Sequence, residues 1–309
     1  MSKDHHNIHT AVLVTEVLKY VAPQKGETYL DATAGYGGHA NTILLRTLQD
    51  KGSVLIDRDK DAVNELKDRF IGRDLKIIHD DFLSASKKLQ KQKSSFDIIL
   101  ADLGVSSPHL DNASRGFSFT NPGPLDMRMD QQQNLSAYEV VNNYSENELI
   151  TILRKYGQEP KARKIAHAIV VNRPIESTEA LALIVAKAKG GGYKKTHPAT
   201  KTFQAIRITV NDEIQLLKEA LPIWHDLLNP GGRLAIISFH SLEDKMVKNY
   251  LTEHAGSRYD ATLQLVTKKP VSASQDELVF NPRARSAKLR VAAKIKTTKG
   301  AQYAYSGKK

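Results

Sequence analysis

The chain of 309 residues contains no cysteine. That excludes disulfides, zinc–cysteine sites and cysteine-ligated iron–sulfur clusters. It also removes the thiolate that adds to a pyrimidine ring in the usual route to carbon-5 methylation. No apolar run approaches the ~18 residues of a membrane helix, so no membrane association is expected. The opening residues, Met1-Ser2-Lys3-Asp4-His5-His6, lack an apolar signal segment, which predicts a cytoplasmic protein. His5, His6 and His9 fit no standard ligand spacing, and no metal is expected. Acids run out towards the end. None follows Glu277, whereas Arg283, Arg285, Lys288, Arg290, Lys294, Lys296, Lys299, Lys308 and Lys309 supply nine positive charges.

The net charge is +11, with eleven Lys/Arg against three Asp/Glu between Arg154 and Lys201. Basic residues segregated in this way suit a surface facing phosphates, so nucleic acid is the expected partner. The length predicts one large or two ordinary domains, and the 40 % hydrophobic content suffices for a core.

The most informative segment is Asp31-Ala-Thr-Ala-Gly35-Tyr-Gly37-Gly38-His39-Ala40. It follows a short strand end and leads into a helical stretch, Thr42 to Leu48. Glycines let the backbone turn sharply and approach a ligand, and a helix N-terminus offers free N–H groups. Asp57 ends the next strand, about twenty residues past the turn, where an acid can accept both hydroxyls of a ribose. Gly35-x-Gly37-x-x-Ala40 also fits a dinucleotide fingerprint, so a nicotinamide enzyme stays open. Asp31 argues for the other reading. A carboxylate four residues ahead of the first glycine suits a cationic amine, such as the amino-acid end of S-adenosyl-L-methionine, and repels a pyrophosphate.

Periodicity predicts an amphipathic helix over 10–21, strands ending at Asp31 and over 53–57, 76–79 and 96–103, and a helix over 60–70. Alternating strands and helices imply a parallel α/β sheet with its ligand at the strand C-termini. The alternation then stops. Helices are predicted at 136–142, 145–156, 160–171 and 177–189, the last ended by Gly190-Gly191-Gly192 as a candidate hinge. A long helix over 208–228, closed by Asn229-Pro-Gly-Gly232, returns the chain to strands at 233–239, 264–266 and 287–295, with a helix at 243–254. The domain reading is a core in two parts, 1–107 and 208–309, with an inserted helical substrate-recognition domain at 108–207 and a basic C-terminal tail.

Asp102-Leu-Gly-Val-Ser-Ser-Pro108 ends the fourth strand, where a transferred group meets its acceptor. An aromatic amine is a poor nucleophile because its lone pair is delocalised into the ring. A carboxylate that accepts its N–H returns electron density to nitrogen as attack begins. Positioning supplies much of the rest. Asp102 is the catalytic candidate; a plain helix N-cap is the competing reading.

Together with Arg115-Gly-Phe-Ser-Phe119, Gly123-Pro-Leu-Asp-Met-Arg-Met-Asp130, His197–Arg207, Val210-Asn211, Ser238-Phe-His-Ser-Leu-Glu-Asp244 and Asn281–Arg290, these segments resemble the bacterial MraW/RsmH family from His9 to about Arg290. The resemblance implies a class I (Rossmann-like) methyltransferase core with a helical insertion. It implies S-adenosyl-L-methionine as cofactor and methylation at N4 of a cytidine in the decoding region of 16S rRNA, in the small ribosomal subunit. Carried over by motif, the cofactor contacts fall on Gly37, Gly38, His39, Asp57, Phe82, Asp102 and His109, with Phe82 flanking the adenine. They join Asp31 and Gly35 from the loop itself. Ala32 stands where the family usually has glycine, Ala40 where serine is usual and His109 where glutamine is common. The carboxylates and close-packed glycines are all present.

Candidate RNA phosphate contacts are Lys201, Arg207, Arg283, Arg285 and Lys288. Phe117 and Phe119 are core residues or base-stacking rings. His240 and Glu243 are expected to position substrate or a loop rather than move protons. Three other functions remain open on the sequence: an NAD(P)-dependent oxidoreductase, an rRNA-binding assembly factor with a vestigial pocket, and, within methyltransferases, methylation of a DNA amine.

Overall fold

The computed structural model describes residues 11–190, 197–256 and 260–295. His5, His6, His9, Gly191, Gly192, Lys296, Lys299, Lys308 and Lys309, singled out above, lie outside the described residues. The chain forms two compact units. One comprises the chain up to Gly104 and again from Leu216; the other is Val105–Gln215.

The first unit begins with α1 (Val14–Val21), β1 (Tyr29–Asp31), α2 (Gly38–Thr47), β2 (Val54–Asp57), α3 (Lys60–Arg69), β3 (Lys76–His79), α4 (Phe82–Lys91) and β4 (Phe96–Asp102). The second holds α5 (Ser107–Asp111), α6 (Ala137–Asn143), α7 (Glu146–Lys155), α8 (Ala162–Val171), α9 (Thr178–Ala188) and α10 (Thr200–Asn211). The chain then runs through α11 (Glu213–Leu227), β5 (Leu228–Ser238), α12 (Ser241–Glu253), β6 (Leu263–Leu265), α13 (Gln275–Phe280) and β7 (Lys288–Lys294).

The sheet order is β3-β2-β1-β4-β5-β7-β6. β1 to β5 pair in parallel, whereas β7 runs antiparallel to both β5 and β6. The central strands β1, β2, β4 and the Leu234–Ile237 part of β5 are largely apolar and buried, as expected where helices cover both faces. Leu30, Ile56, Ile99, Ala101 and Ile236 meet Trp224 and Leu221 on one side. Tyr29, Leu55, Ile98, Leu100 and Ile237 meet Val17, Ile43 and Leu44 on the other. Strand order reverses between β1 and β4, which opens a crevice beyond their carboxyl ends.

Three elements differ from the sequence reading. The helix expected from Thr42 begins at Gly38, because Gly37 takes a left-handed φ of 81° as its N-cap and Gly38 can then start the turn. The helix expected over 208–228 starts earlier, at Thr200, and is two, α10 and α11, broken at Asp212, whose φ is 49°. Aspartate tolerates that conformation better than most residues, so the break leaves the apolar periodicity intact. Asn229–Gly232 does not precede β5 but interrupts it: Phe96 pairs with Leu228 and Ile98 with Arg233 across a register shift. Helices α4, α5 and α13 were not expected. α4 starts where Asp81 caps the N–H groups of Leu83 and Ser84, both at 2.9 Å.

The second unit has its own core, built on Leu149, Leu153, Ile165, Ile169, Leu181 and Phe203. Its long non-helical stretch is held by polar side chains. Arg115 donates to the carbonyls of Arg128 and Met129 at 3.1 and 2.9 Å. Asn211 accepts from the Met129 N–H at 2.9 Å and donates to the Met127 carbonyl at 2.8 Å. Phe117 belongs to this core, and Phe119 packs on His197 and Phe203 at ring separations of 4.4 and 5.0 Å.

Candidate active site

Three neighbouring parallel strands, β2, β1 and β4, each end in an aspartate: Asp57, Asp31 and Asp102. The pleat and the parallel register bring these carboxylates to the crevice at the reversal of strand order. The glycine turn between β1 and α2 faces the same edge.

Asp57 is a built acceptor. Its Oδ2 takes the Gly35 N–H at 2.7 Å and its Oδ1 the Asp59 N–H at 2.8 Å. These bonds hold the carboxylate in place at the end of β2, and a carboxylate oxygen can accept more than one hydrogen bond, which is the chemistry that a ribose hydroxyl requires. Gly35 has φ 52°, and a Cβ there would point into open space. Gly37 is packed closely: a Cβ would come within 3.0 Å of Leu66 Cδ2 and Phe70 Cε2. The turn therefore needs glycine at Gly37 for backbone shape and packing, and at Gly35 leaves room for a ligand.

Asp31 is 1 % exposed. The Tyr29 hydroxyl donates to its Oδ2 at 2.6 Å and the Thr33 N–H to its Oδ1 at 3.2 Å. Burial outweighs these bonds and the nearby His39, and pushes the carboxyl up to about 6. A cationic ligand group would stabilise its ionised form. Burial, with Asp31 alongside, pushes the Tyr29 phenol up, so it stays a donor.

Asp102 is reached by two groups. Its backbone N–H donates to Thr33 Oγ1 at 2.6 Å, which ties the ends of β1 and β4. His39 Nε2, from the first turn of α2, lies 3.6 Å from Asp102 Oδ2. Burial disfavours charge on His39, yet Asp102, Asp31 and Glu277 outweigh it and raise its pKa. Asp102 Oδ1 is buried and accepts no hydrogen bond. Such an atom at a strand end is a vacant acceptor for a ligand N–H.

Phe82 opens α4 and is half-buried; its ring lies 5.3 Å from that of Trp224. The Asp80 N–H donates to the Asp57 carbonyl at 3.0 Å, which keeps the start of α4 beside the end of β2. His109 belongs to the second unit. It is buried, stands 5.0 Å from the Phe117 ring and bonds Ser106 as a helix cap. His240 and Glu243 also cap a helix: Glu243 accepts the N–H of Phe239 at 2.9 Å and of His240 at 3.3 Å.

The expected phosphate contacts divide. Arg207 is committed to both oxygens of Glu213 at 2.8 Å across the helix break. Lys288 shares Asp244 with the buried Arg290 at 3.4 and 2.7 Å. Lys201 is exposed and donates to the Gln158 carbonyl at 3.0 Å. Arg283 and Arg285 are exposed. Sequence reasoning missed Tyr29 and Thr33. The signal for Thr33 was its spacing from Asp31, which suits an Asx-type turn.

A dinucleotide-binding sheet of this kind runs 3-2-1-4-5-6. Here an antiparallel β7 enters between β5 and β6, and Asp31, an acid that would repel a pyrophosphate, ends β1 at the crevice. That sheet and crevice define a class I, Rossmann-like methyltransferase that uses S-adenosyl-L-methionine. The orphaned Asp102 oxygen, the open cradle at Gly35 and the three carboxylates all fit that cofactor.

The chain belongs to the MraW methylase family, which it matches over residues 6–295. It is 45 % identical over 290 residues to a protein of Trichormus variabilis named ribosomal RNA small subunit methyltransferase H, covering 93 % of this chain and 92 % of that relative. A protein of the same name from Syntrophus aciditrophicus is 44 % identical over 315 residues, covering 96 % of this chain and all of its own. A solved rRNA methylase from Streptococcus thermophilus aligns with 93 % of this chain and 98 % of its own, at 10 % identity and a TM-score of 0.44.

Proposed function

We propose that this chain methylates the N4 amine of a cytidine in 16S rRNA, with the small ribosomal subunit or its RNA as substrate. Asp102 carries the reading: it is a carboxylate at the end of β4 with a buried oxygen that accepts no hydrogen bond. When bound, S-adenosyl-L-methionine supplies an electrophilic methyl group on a sulfonium sulfur.

The chain's own residues do the rest. Asp57 would hold the ribose hydroxyls, Asp31 the ammonium, and Phe82 a face of the adenine. Gly35, Gly37 and Gly38 keep the loop close to the ligand. Asp102 would accept an N–H of the cytosine amine, orient its lone pair and stabilise the positive charge that develops on nitrogen. The unit Val105–Gln215 and the exposed Lys201, Arg283 and Arg285 would engage the RNA; the Lys288 ammonium is shared with Asp244. The cytidine has to leave its stack to reach the site. Among the described residues no helix is long and apolar enough to cross a membrane.

The test is incubation with tritiated-methyl cofactor and small subunits from a strain lacking this gene, followed by nucleoside mass spectrometry. New N4-methylcytidine is the expected result. Cofactor binding without incorporation would overturn it.

A further inference from the structure

Phe280, the last residue of α13, is 87 % exposed, and its neighbour Val279 is 73 % exposed. No other large hydrophobic side chain among the described residues is as exposed as Phe280. The segment is anchored on both sides. Glu277 accepts the Leu13 N–H at 2.7 Å, and Leu278 packs against the core. The Asn281 N–H donates to the Glu277 carbonyl at 2.7 Å, and Ala284 and Ala287 are buried in the turn that follows. The fold thus fixes the backbone on each side of Phe280 and leaves the ring in water.

Its surroundings indicate the occupant. The exposed guanidinium residues Arg283 and Arg285 follow within five residues, and no acid occurs after Glu277. A single ring beside cations suits a nucleobase, which offers a π-face whatever its sequence, on a phosphate backbone. Glu277 holds the Leu13 N–H, and Ala11, two residues before Leu13, packs against Gly38 of the glycine turn, so α13 lies beside the candidate active site.

We propose that Phe280, with Arg283 and Arg285, forms a stacking platform for an unpaired nucleotide of the RNA, separate from the cofactor pocket. The proposal rests on the RNA-methylating reading above and adds a subsite to it.

The test uses the full chain, a fluorescein-labelled single-stranded RNA containing cytidine, and unmethylated small subunits. Phe280→Ala should weaken RNA binding about tenfold and raise KM for subunits with kcat unchanged. Phe280→Tyr should restore both. Because the ring carries no charge, the salt dependence of Phe280→Ala should keep the wild-type slope, whereas Arg285→Gln should lower it by about one. Wild-type affinity and KM in Phe280→Ala would overturn the platform. So would a loss of self-association by light scattering with RNA affinity unchanged, which would assign the ring to a second copy of the chain. Phe280-dependent RNA binding by a wild-type protein that makes no N4-methylcytidine would sink the proposed function and leave the platform standing.

Discussion

His39 Nε2 stands 3.6 Å from Asp102 Oδ2, and neither that nitrogen nor Asp102 Oδ1 has a hydrogen-bond partner. The two side chains face each other across the gap between the start of α2 and the end of β4. An amine that donates to Asp102 would satisfy the free oxygen.

Asp102→Ala should therefore lower kcat by about 10²–10³-fold, the usual cost of losing a charge-stabilising acceptor. Asp102 Oδ1 accepts no hydrogen bond and Oδ2 meets His39 at 3.6 Å, a long contact, so the thermal midpoint should stay within a few degrees. Methyl incorporation and circular dichroism on the same preparation check this. Wild-type turnover would remove Asp102 from the reaction.

Asp31→Asn should separate stability from binding. Cofactor affinity, read by calorimetry, should fall at least tenfold for want of a partner to the ammonium. The ligand-free protein should not lose stability at pH 7.5, because the variant no longer has to bury a carboxylate.

The same carboxyl gives a pH dependence. Its folded value of about 6 lies above the ordinary 3.8, so its contribution to stability is complete below pH 3.8 and is lost as pH rises through 6. His39, also raised, contributes below 6.5 and loses that contribution as pH rises through its folded value. In urea titrations of the ligand-free protein, the difference between wild type and Asp31→Asn should shift in favour of the variant from pH 4.5 to 7. A constant difference would show that Asp31 titrates normally.

Gly37→Ala should cost about 1–3 kcal/mol. The position combines φ 81° with Leu66 and Phe70 at 3.0 Å from the added carbon. Urea denaturation reads this directly, and a smaller loss of cofactor affinity should accompany it.

Strand ends, the glycine turn and the carboxylates were legible because period, spacing and residue chemistry all lie within short windows. Asp31, Asp57 and Asp102 each close an apolar run. The break at Asp212 was hidden because the apolar positions of α10 and α11 stay in register with one helix. The excursion at Asn229–Gly232 reads as a terminator, and only pairing with β4 shows that β5 starts before it. Arg207 looked like a surface cation because its partner Glu213 lies beyond a turn that periodicity does not show. The antiparallel entry of β7 is a property of topology, which no local pattern encodes.

That entry bears on how the chain is made. Translation delivers β7 after the other six strands, yet β7 sits between β5 and β6 and holds both. Until Lys288–Lys294 is available, the Arg233–Ser238 edge of the sheet has no neighbour on that side, and β6 has no strand to join. An incomplete chain ending before Lys288 would expose a long apolar edge, open to pairing with other chains. The sheet thus closes only once β7 has emerged, and the nascent chain should be most prone to aggregate in the interval between the synthesis of β6 and that of β7.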